Sequence, residues 1–358
     1  MKIAIYSPYL DTLGGGEKYM MTIAETLSWG NEVDVLLDWN LFNIGADYLK
    51  NELSKRFNLK LDRVSFIKAP IGKSSVVIEK IFFFKKYDVF FYLTDGSIFY
   101  PTSKKNILHI QSPLMGQPAK SILGKLKLKG WDLIIYNSIF TKENAQKYWS
   151  IKSEIIYPPV DVDKIKPLKK KKYILSVGRF FGYLKNKKHE LLIKVFKELF
   201  ETGKVSGWSL NLVGSASSGD KDYLEELKKI AKGLPINFYP NLDYDKLVKL
   251  YGESSVYWHA SGFGEKDPTK MEHFGISTVE AMAAGCVPIV INKGGQVEIV
   301  EHNKSGYLFN SLSELKKFTL KVINLKDNWQ KMSKIALERS HHFSKKRFRD
   351  KINQLIKI

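Results

Sequence analysis

The chain is 358 residues long, 44% hydrophobic, and carries a formal net charge of +20. At roughly 100–200 residues per domain, that length predicts about two domains, each large enough to bury a core. Its one cysteine, Cys286, excludes an internal disulfide and a thiolate metal cluster and suits a reducing compartment.

The opening MKIAIYSPYL is an apolar alternation ending at Pro8, with no long h-region and no small-residue cleavage site. No run approaches the roughly 18 apolar residues of a membrane span. A cytoplasmic protein, or one peripheral at the inner face of a membrane, is expected. Residues 2–6 predict a buried strand, and Gly14-Gly15-Gly16 a turn into a helix with apolar positions at Tyr19, Met20, Ile23, Ala24 and Leu27. Strands are predicted at 32–39, 64–67, 88–93, 106–110 and 133–136, with helices between several of them, notably 141–149. Pro158-Pro159 and Pro167 bracket a proline- and lysine-rich linker ending at 169–172.

A second alternation follows. Strands are predicted at 173–177, 209–213, 236–239, 255–258 and 287–291, with helices at 189–202, 220–232, 244–253, 278–284 and from about 312. Strands alternating with helices predict βαβ units and parallel sheets. The expected architecture is α/β, with domains 1–163 and 168–339 joined at one hinge. Ligands of such sheets lie beyond the carboxyl ends of the strands, which here predicts a cleft between two facing domains.

The positive charge is concentrated. Residues 60–130 and 311–358 carry +9 each. Such blocks are solvated faces, nucleic-acid patches or anionic membrane surfaces. Their lysines interleave with large apolar residues (Ile81-Phe82-Phe83-Phe84-Lys85-Lys86, and 122–128), which favours a membrane surface over nucleic acid.

Several motifs carry chemistry. Gly14-Gly15-Gly16 opens a helix, where glycines let backbone N–H groups approach an anion; the motif is not GxGxxG, and it reads as a tight turn or as a phosphate loop. Gly178-Arg179 follows a strand and precedes Lys185, Lys187 and Lys188. A planar Arg fork with a mobile Lys charge could neutralise a diphosphate. In MEHFGISTVEAMAAGCVPIVINKGGQVEIV, Glu272 and Glu280 flank a glycine turn and a helix start. Ser277 and Glu280 have the spacing of a capping box, which would make Glu280 structural, whereas Glu272 has no such explanation. Paired carboxylates also suit glycoside hydrolysis, but that chemistry needs neither the cations nor the anion-binding helix end. The seven histidines show no zinc spacing. His109 ends a first-domain strand and is expected to face the cleft, as a functional residue or equally as a hydrogen-bonded structural one. No GxSxG elbow exists.

Together these motifs resemble the retaining GT-B glycosyltransferases, family 4 in particular. Glu272-HFGISTV-Glu280 resembles the E-x7-E motif, EAMAAGCVPIV and GGQVEIV its continuation, and VGRF with NKKHELLIKVFKEL the arginine–lysine segment. LGGGEKYMMTIAETL, DLIIYNSIFTKENAQKYW and YPPVDVDKI match as well, so the resemblance spans nearly the whole chain. EHFGI is most similar to mannosyltransferases that extend lipid-linked oligosaccharides. The resemblance implies two Rossmann-like domains, with the helix of residues 340–358 returning to the first. It implies a retaining, metal-independent hexosyltransferase moving mannose or glucose from a UDP- or GDP-linked sugar to a glycan or lipid-linked acceptor, with no other cofactor. Glu272 would hold hydroxyls of the transferred sugar, joined by the main chain at Phe274, Gly275 and Ile276. Arg179, Lys187, Gly275, Ile276 and Gly15 would meet the diphosphate, Glu280 the ribose, and Pro240-Asn241-Leu242 the base. His109 would be catalytic. Two departures qualify this: extra residues before Lys187 make Lys185 a rival, and Gln111 stands where the family often has its cleft histidine. A phosphorylase or epimerase of the same fold, and a non-catalytic nucleotide-sugar or nucleic-acid binder, remain as alternatives.

Overall fold

The computed structural model describes residues 1–72, 76–116, 121–324 and 326–357. The chain divides into two units, Met1–Pro159 with Lys346–Ile358, and Val160–Lys345.

In the first unit, strands β1 (Lys2–Tyr6), β2 (Glu32–Leu37), β3 (Val64–Lys68), β4 (Val89–Leu93), β5 (Lys105–Ile110), β6 (Leu133–Tyr136) and β7 (Ser153–Ile155) form one sheet in the order β3-β2-β1-β4-β5-β6-β7. Every pairing is parallel. The centre of the sheet reads as a continuous apolar run because helices cover both faces; β4, VFFYL, is buried throughout. The helix Lys345–Ile356 returns to this unit, placing Phe348, Ile352 and Leu355 in its core. It is pinned there by Arg349, which donates to the buried carboxylate of Glu25 at 2.7 Å.

The second unit repeats the plan. Strands β8 (Lys171–Val177), β9 (Ser209–Gly214), β10 (Ile236–Pro240), β11 (Ser254–His259), β12 (Val287–Ile291) and β13 (Tyr307–Phe309) run parallel in the order β10-β9-β8-β11-β12-β13. The helix His189–Glu201 buries Leu192, Ile193, Val195, Phe196 and Leu199 against this sheet, as its apolar spacing predicts. In each unit the strand order reverses once, between β1 and β4 and between β8 and β11, the position where such sheets bind ligands. The expected pair of Rossmann-like parallel sheets is therefore present.

Local differences have local causes. The short strands β7 and β13 carry too few residues to show a period, and sequence reading missed both. The helix predicted at 141–149 instead spans Ile139–Ala145, because Ser138 caps it by accepting from the Thr141 N–H. The capping box expected at Ser277 and Glu280 does not form. The helix begins at Ile276, with Gly275 as its N-cap, and Ser277 Oγ instead accepts from the Tyr257 hydroxyl at 2.8 Å.

His109 also corrects an expectation. It is 1% exposed and stacks on Tyr19 with ring centroids 3.9 Å apart. Its Nδ1 donates to the Ile135 carbonyl at 3.1 Å. Alternation along β5 turns it into the core, so it is not placed to touch a ligand. Gln111 lies beyond the strand, half-buried against the glycine turn, where a Cβ on Gly16 would sit 2.3 Å from its Oε1.

Burial lowers the pKa of His109 to about 3 and, with help from the nearby Lys187 charge, that of His189 to about 4. Unfolded histidines protonate near pH 6.5, so between these values the unfolded chain binds more protons and stability rises with pH. Taking the protein from pH 7 to pH 5 is expected to cost about 2 kcal/mol per buried histidine. Denaturant unfolding at the two pH values measures this, and His109→Phe is expected to remove the share of the first unit.

Candidate functional site

The second unit gathers most of the predicted residues at the carboxyl ends of β8 and β11. After β8 the chain passes through Gly178, whose N–H donates to the Val213 carbonyl at 2.8 Å. The loops after β8 and β9 touch through backbone: a Cβ on Gly214 would lie 2.0 Å from the Gly178 carbonyl oxygen. The Lys187 stem lies over Gly178, where a Cβ would meet its Cγ at 2.8 Å. Arg179 follows, exposed, and makes no ion pair among the described residues.

Lys185 and Lys188 take left-handed φ values of 43° and 58°, and the resulting turns send three lysines to three different places. Lys185 pairs with Glu226 at 2.9 Å, Lys188 with Glu265 at 2.6 Å, and Lys187 with Glu272 at 2.5 Å. Lys187, rather than its rival Lys185, is the lysine brought to the carboxylate.

Glu272 also accepts a hydrogen bond from His259 Nε2 at 2.9 Å. His259 ends β11 and is 2% exposed, and its Nδ1 has no partner among the described residues. Burial lowers the His259 pKa, with the Glu272 bond opposing, so the ring is neutral and carries its proton on Nε2. Burial pushes the Glu272 carboxyl up, but the Lys187 ammonium and the His259 bond outweigh it and hold it well below the usual carboxylate range. The carboxylate is thus ionised and fixed on one oxygen, leaving the other for a ligand hydroxyl. Sequence reasoning assigned His259 no role; its place at the end of a strand beside the switch point was the available signal.

The segment 272–275 rests on the glycine pair. The Gly295 N–H donates to the Glu272 carbonyl at 2.8 Å, and a Cβ on Gly294 would lie 2.3 Å from that same oxygen. Beneath Gly275, itself at φ 123°, lies the fully buried Gln296, whose Oε1 accepts from the Thr278 hydroxyl at 2.9 Å. A side chain on Gly275 would strike the Gln296 amide at 2.4 Å, so the turn delivering the helix start tolerates only glycine. Gln296 is a second residue that sequence reasoning left without a role. Phe274 is buried edge-on against Phe343, with ring centroids 5.5 Å apart. The N–H groups at Gly275, Ile276 and Ser277 head the helix with no acceptor within it, an arrangement suited to an anion.

Glu280 sits one turn into this helix and accepts from the Tyr251 hydroxyl at 3.0 Å. Asn241, at φ 54°, uses its whole amide on Ala216, accepting from its N–H at 3.0 Å and donating to its carbonyl at 2.9 Å. The Asn241 N–H is also used, donating to the Gly214 carbonyl at 2.9 Å, so its carbonyl, exposed Pro240 and half-buried Leu242 are what this segment offers a base. In the first unit, Gly15 is exposed at the first position of helix Gly15–Leu27. The adjacent Gly14 N–H already donates to the buried Glu17 carboxylate at 2.9 Å, which weakens this helix end as an anion site.

Ionised carboxylate, guanidinium, ammonium and open helix end together suit a ligand with hydroxyls at one end and a diphosphate at the other. Known proteins bear on this. The family described as "Glycosyl transferases group 1" matches residues 160–343. A GDP-Man:Man(3)GlcNAc(2)-PP-Dol alpha-1,2-mannosyltransferase of Dictyostelium discoideum is 29% identical over 247 residues, covering 63% of this chain and 47% of that protein. The protein of the same name from Xenopus tropicalis is 24% identical over 387 residues, covering 87% and 77%. The chain thus spans about half the length of the first relative and more of the second. Among solved structures, a glycosyltransferase of Rickettsia africae superposes with a TM-score of 0.77 at 19% identity, covering 99% of this chain and 97% of that one. Anabaena Alr3699/HepE in complex with UDP and glucose gives 0.71 at 18%, covering 99% of both. These two show that the fold is shared.

Proposed function

The chain belongs to the glycosyl transferases group 1, and from that premise we propose that it is a retaining, metal-independent mannosyltransferase using a GDP-linked sugar and a lipid-linked glycan acceptor. The observation that carries this reading is the Glu272 carboxylate, clamped by Lys187 and His259 beside the Gly275 helix start. The names of the relatives supply the mannose, the GDP and the lipid-linked acceptor.

On binding, the donor diphosphate takes the charge of Arg179 and the N–H groups at Gly275 and Ile276. Lys187 turns from Glu272 to the diphosphate, and the other carboxylate oxygen accepts a hydroxyl of the sugar. His259 is a positioning residue that holds Glu272 through this exchange. In the transfer step the bond from the anomeric carbon to the diphosphate breaks, and the acceptor oxygen bonds to the same face of that carbon. The acceptor proton goes to the departing phosphate, so no protein nucleophile is required. Fixed cations and helix N–H groups aimed at developing phosphate charge are the kind of preorganisation that gives the largest catalytic term. Those cations are what supports a metal-independent reaction. Glu280, one turn into the helix and held by the Tyr251 hydroxyl, binds the ribose.

A thermal-shift series tests the donor. GDP-mannose is expected to stabilise the protein by about 2.7 kcal/mol when present at a hundred times its dissociation constant. An equal shift with UDP-glucose would overturn the choice of donor. Release of mannose 1-phosphate in the presence of inorganic phosphate would favour a phosphorylase.

A further inference from the structure

The two basic blocks of the sequence have different fates. In the C-terminal block, the helix Lys345–Ile356 turns its apolar residues into the first unit's core. Around residues 77–129, large apolar side chains instead stand in solvent. The helix Ile122–Lys129 buries only Gly124 and Leu128, and its Ile122 and Leu123 are 80% and 70% exposed. Leu126, Ile78, Phe82 and Tyr100 are each more than half exposed.

These residues form one face. Thr102 donates to the Ile81 carbonyl at 2.7 Å, which ties the segment after β4 to the helix Val77–Lys85. Trp131 Nε1 donates to the Phe99 carbonyl at 3.1 Å, which ties the same segment to the end of Ile122–Lys129. Lys80 lies 5.8 Å from the Phe99 ring and close enough to feel the charge of Lys127. A groove lined by Asp95, Ile98, Leu114, Met115, Leu123 and Lys127 runs between the helix Ile122–Lys129 and the segment after β4. The charge on this face is predominantly positive: lysines 80, 85, 86, 125, 127 and 129 stand against Glu79 on the helices and Asp95 in the groove. Monomeric proteins rarely leave so many large apolar side chains together in water.

We propose that the helices Val77–Lys85 and Ile122–Lys129 form a docking face for an anionic lipid bilayer, with Phe82, Ile122, Leu123 and Leu126 entering the headgroup–acyl boundary. Lysine stems lie along apolar surface while their ammonium groups stay at phosphate level, which fits a bilayer and not a protein of mixed charge. Among the described residues no helix is long and apolar enough to cross a membrane, so attachment through this face would be interfacial. The proposal rests on the lipid-linked acceptor reading for its purpose but not for its test.

The test is co-sedimentation of the full chain with vesicles of phosphatidylcholine alone or mixed with phosphatidylglycerol, without donor or acceptor. Partition onto the anionic vesicles is expected to be about tenfold stronger or more, and to fall with salt. The double variant Ile122→Asp with Leu123→Asp is expected to lose it while keeping the wild-type melting temperature and its shift with GDP-mannose. Equal partition onto neutral vesicles, or unchanged partition of the double variant, overturns the proposal. So does a wild-type dimer in lipid-free sedimentation that the double variant dissolves, since the face would then belong to a second copy. Vesicle binding without mannosyl transfer to a lipid-linked acceptor would sink the acceptor reading and leave the docking face standing.

Discussion

Glu272→Ala is expected to lower kcat/KM for sugar transfer by about a thousandfold, near 4 kcal/mol of transition-state stabilisation, while the protein stays folded. Glu272 is the carboxylate to which Lys187 and His259 converge, and burial alone would raise its pKa, so the site spends two partners on keeping it charged. Its removal lets Lys187 reach water but leaves the buried His259 Nε2–H unpaired, so a stability cost of about 1–3 kcal/mol is expected. Glu272→Gln keeps the shape and can still accept from His259, but it cannot match the charge, so its activity should lie between the two. His259→Phe removes the positioning bond; kcat is expected to fall by about tenfold with KM little changed, since geometry and not binding surface is lost. Steady-state kinetics with purified variants, alongside melting curves, reads all three. Full activity of Glu272→Ala would end the proposed mechanism.

Arg179→Ala is expected to cost about a hundredfold or more in kcat. Arg179 is exposed and makes no ion pair among the described residues, so its removal should leave the melting temperature unchanged. Arg179→Lys should restore only part of the rate, because an ammonium lacks the planar fork that meets two phosphate oxygens at once. Lys187→Ala separates differently. It removes charge from the diphosphate and also unclamps Glu272, whose burial is then opposed by His259 alone. The Glu272 carboxyl therefore rises, and the variant is expected to lose activity on the acid side where the wild type remains flat. The sign follows from the cause: wild-type Glu272 is held down by Lys187, so it loses its charge only well below the usual carboxylate range. A pH–rate profile of kcat/KM for the two proteins measures the difference, and superimposable profiles would sink the Lys187 role.

Much of the fold was legible. β4 and β12 are apolar runs of strand length, and the helices His189–Glu201 and Tyr244–Glu253 carry clear 3.6-residue patterns, so the alternation that implies parallel sheets lies within short windows. The E-x7-E segment and Arg179 were legible for a similar reason, since both stand in the turn directly after a strand or at a helix start. Other readings failed where side-chain direction or loop conformation decided. His109 and Gln111 are two residues apart, yet one is in the core and the other beyond the strand end against Gly16. Glu280 matched a capping spacing, but the positive φ of Gly275 starts the helix two residues earlier than that spacing required.

The sequence by itself determined the two α/β units and the family, because periodicity and motif spacing are written in consecutive residues. Tertiary structure alone decided that Lys187 and not Lys185 meets a glutamate 85 positions away, and that His259 holds that glutamate in place. It also decided which apolar residues of the basic blocks stand in solvent. These outcomes depend on strand order and on left-handed turns at Lys185, Lys188 and Gly275, which bring distant residues together only once the sheet has formed.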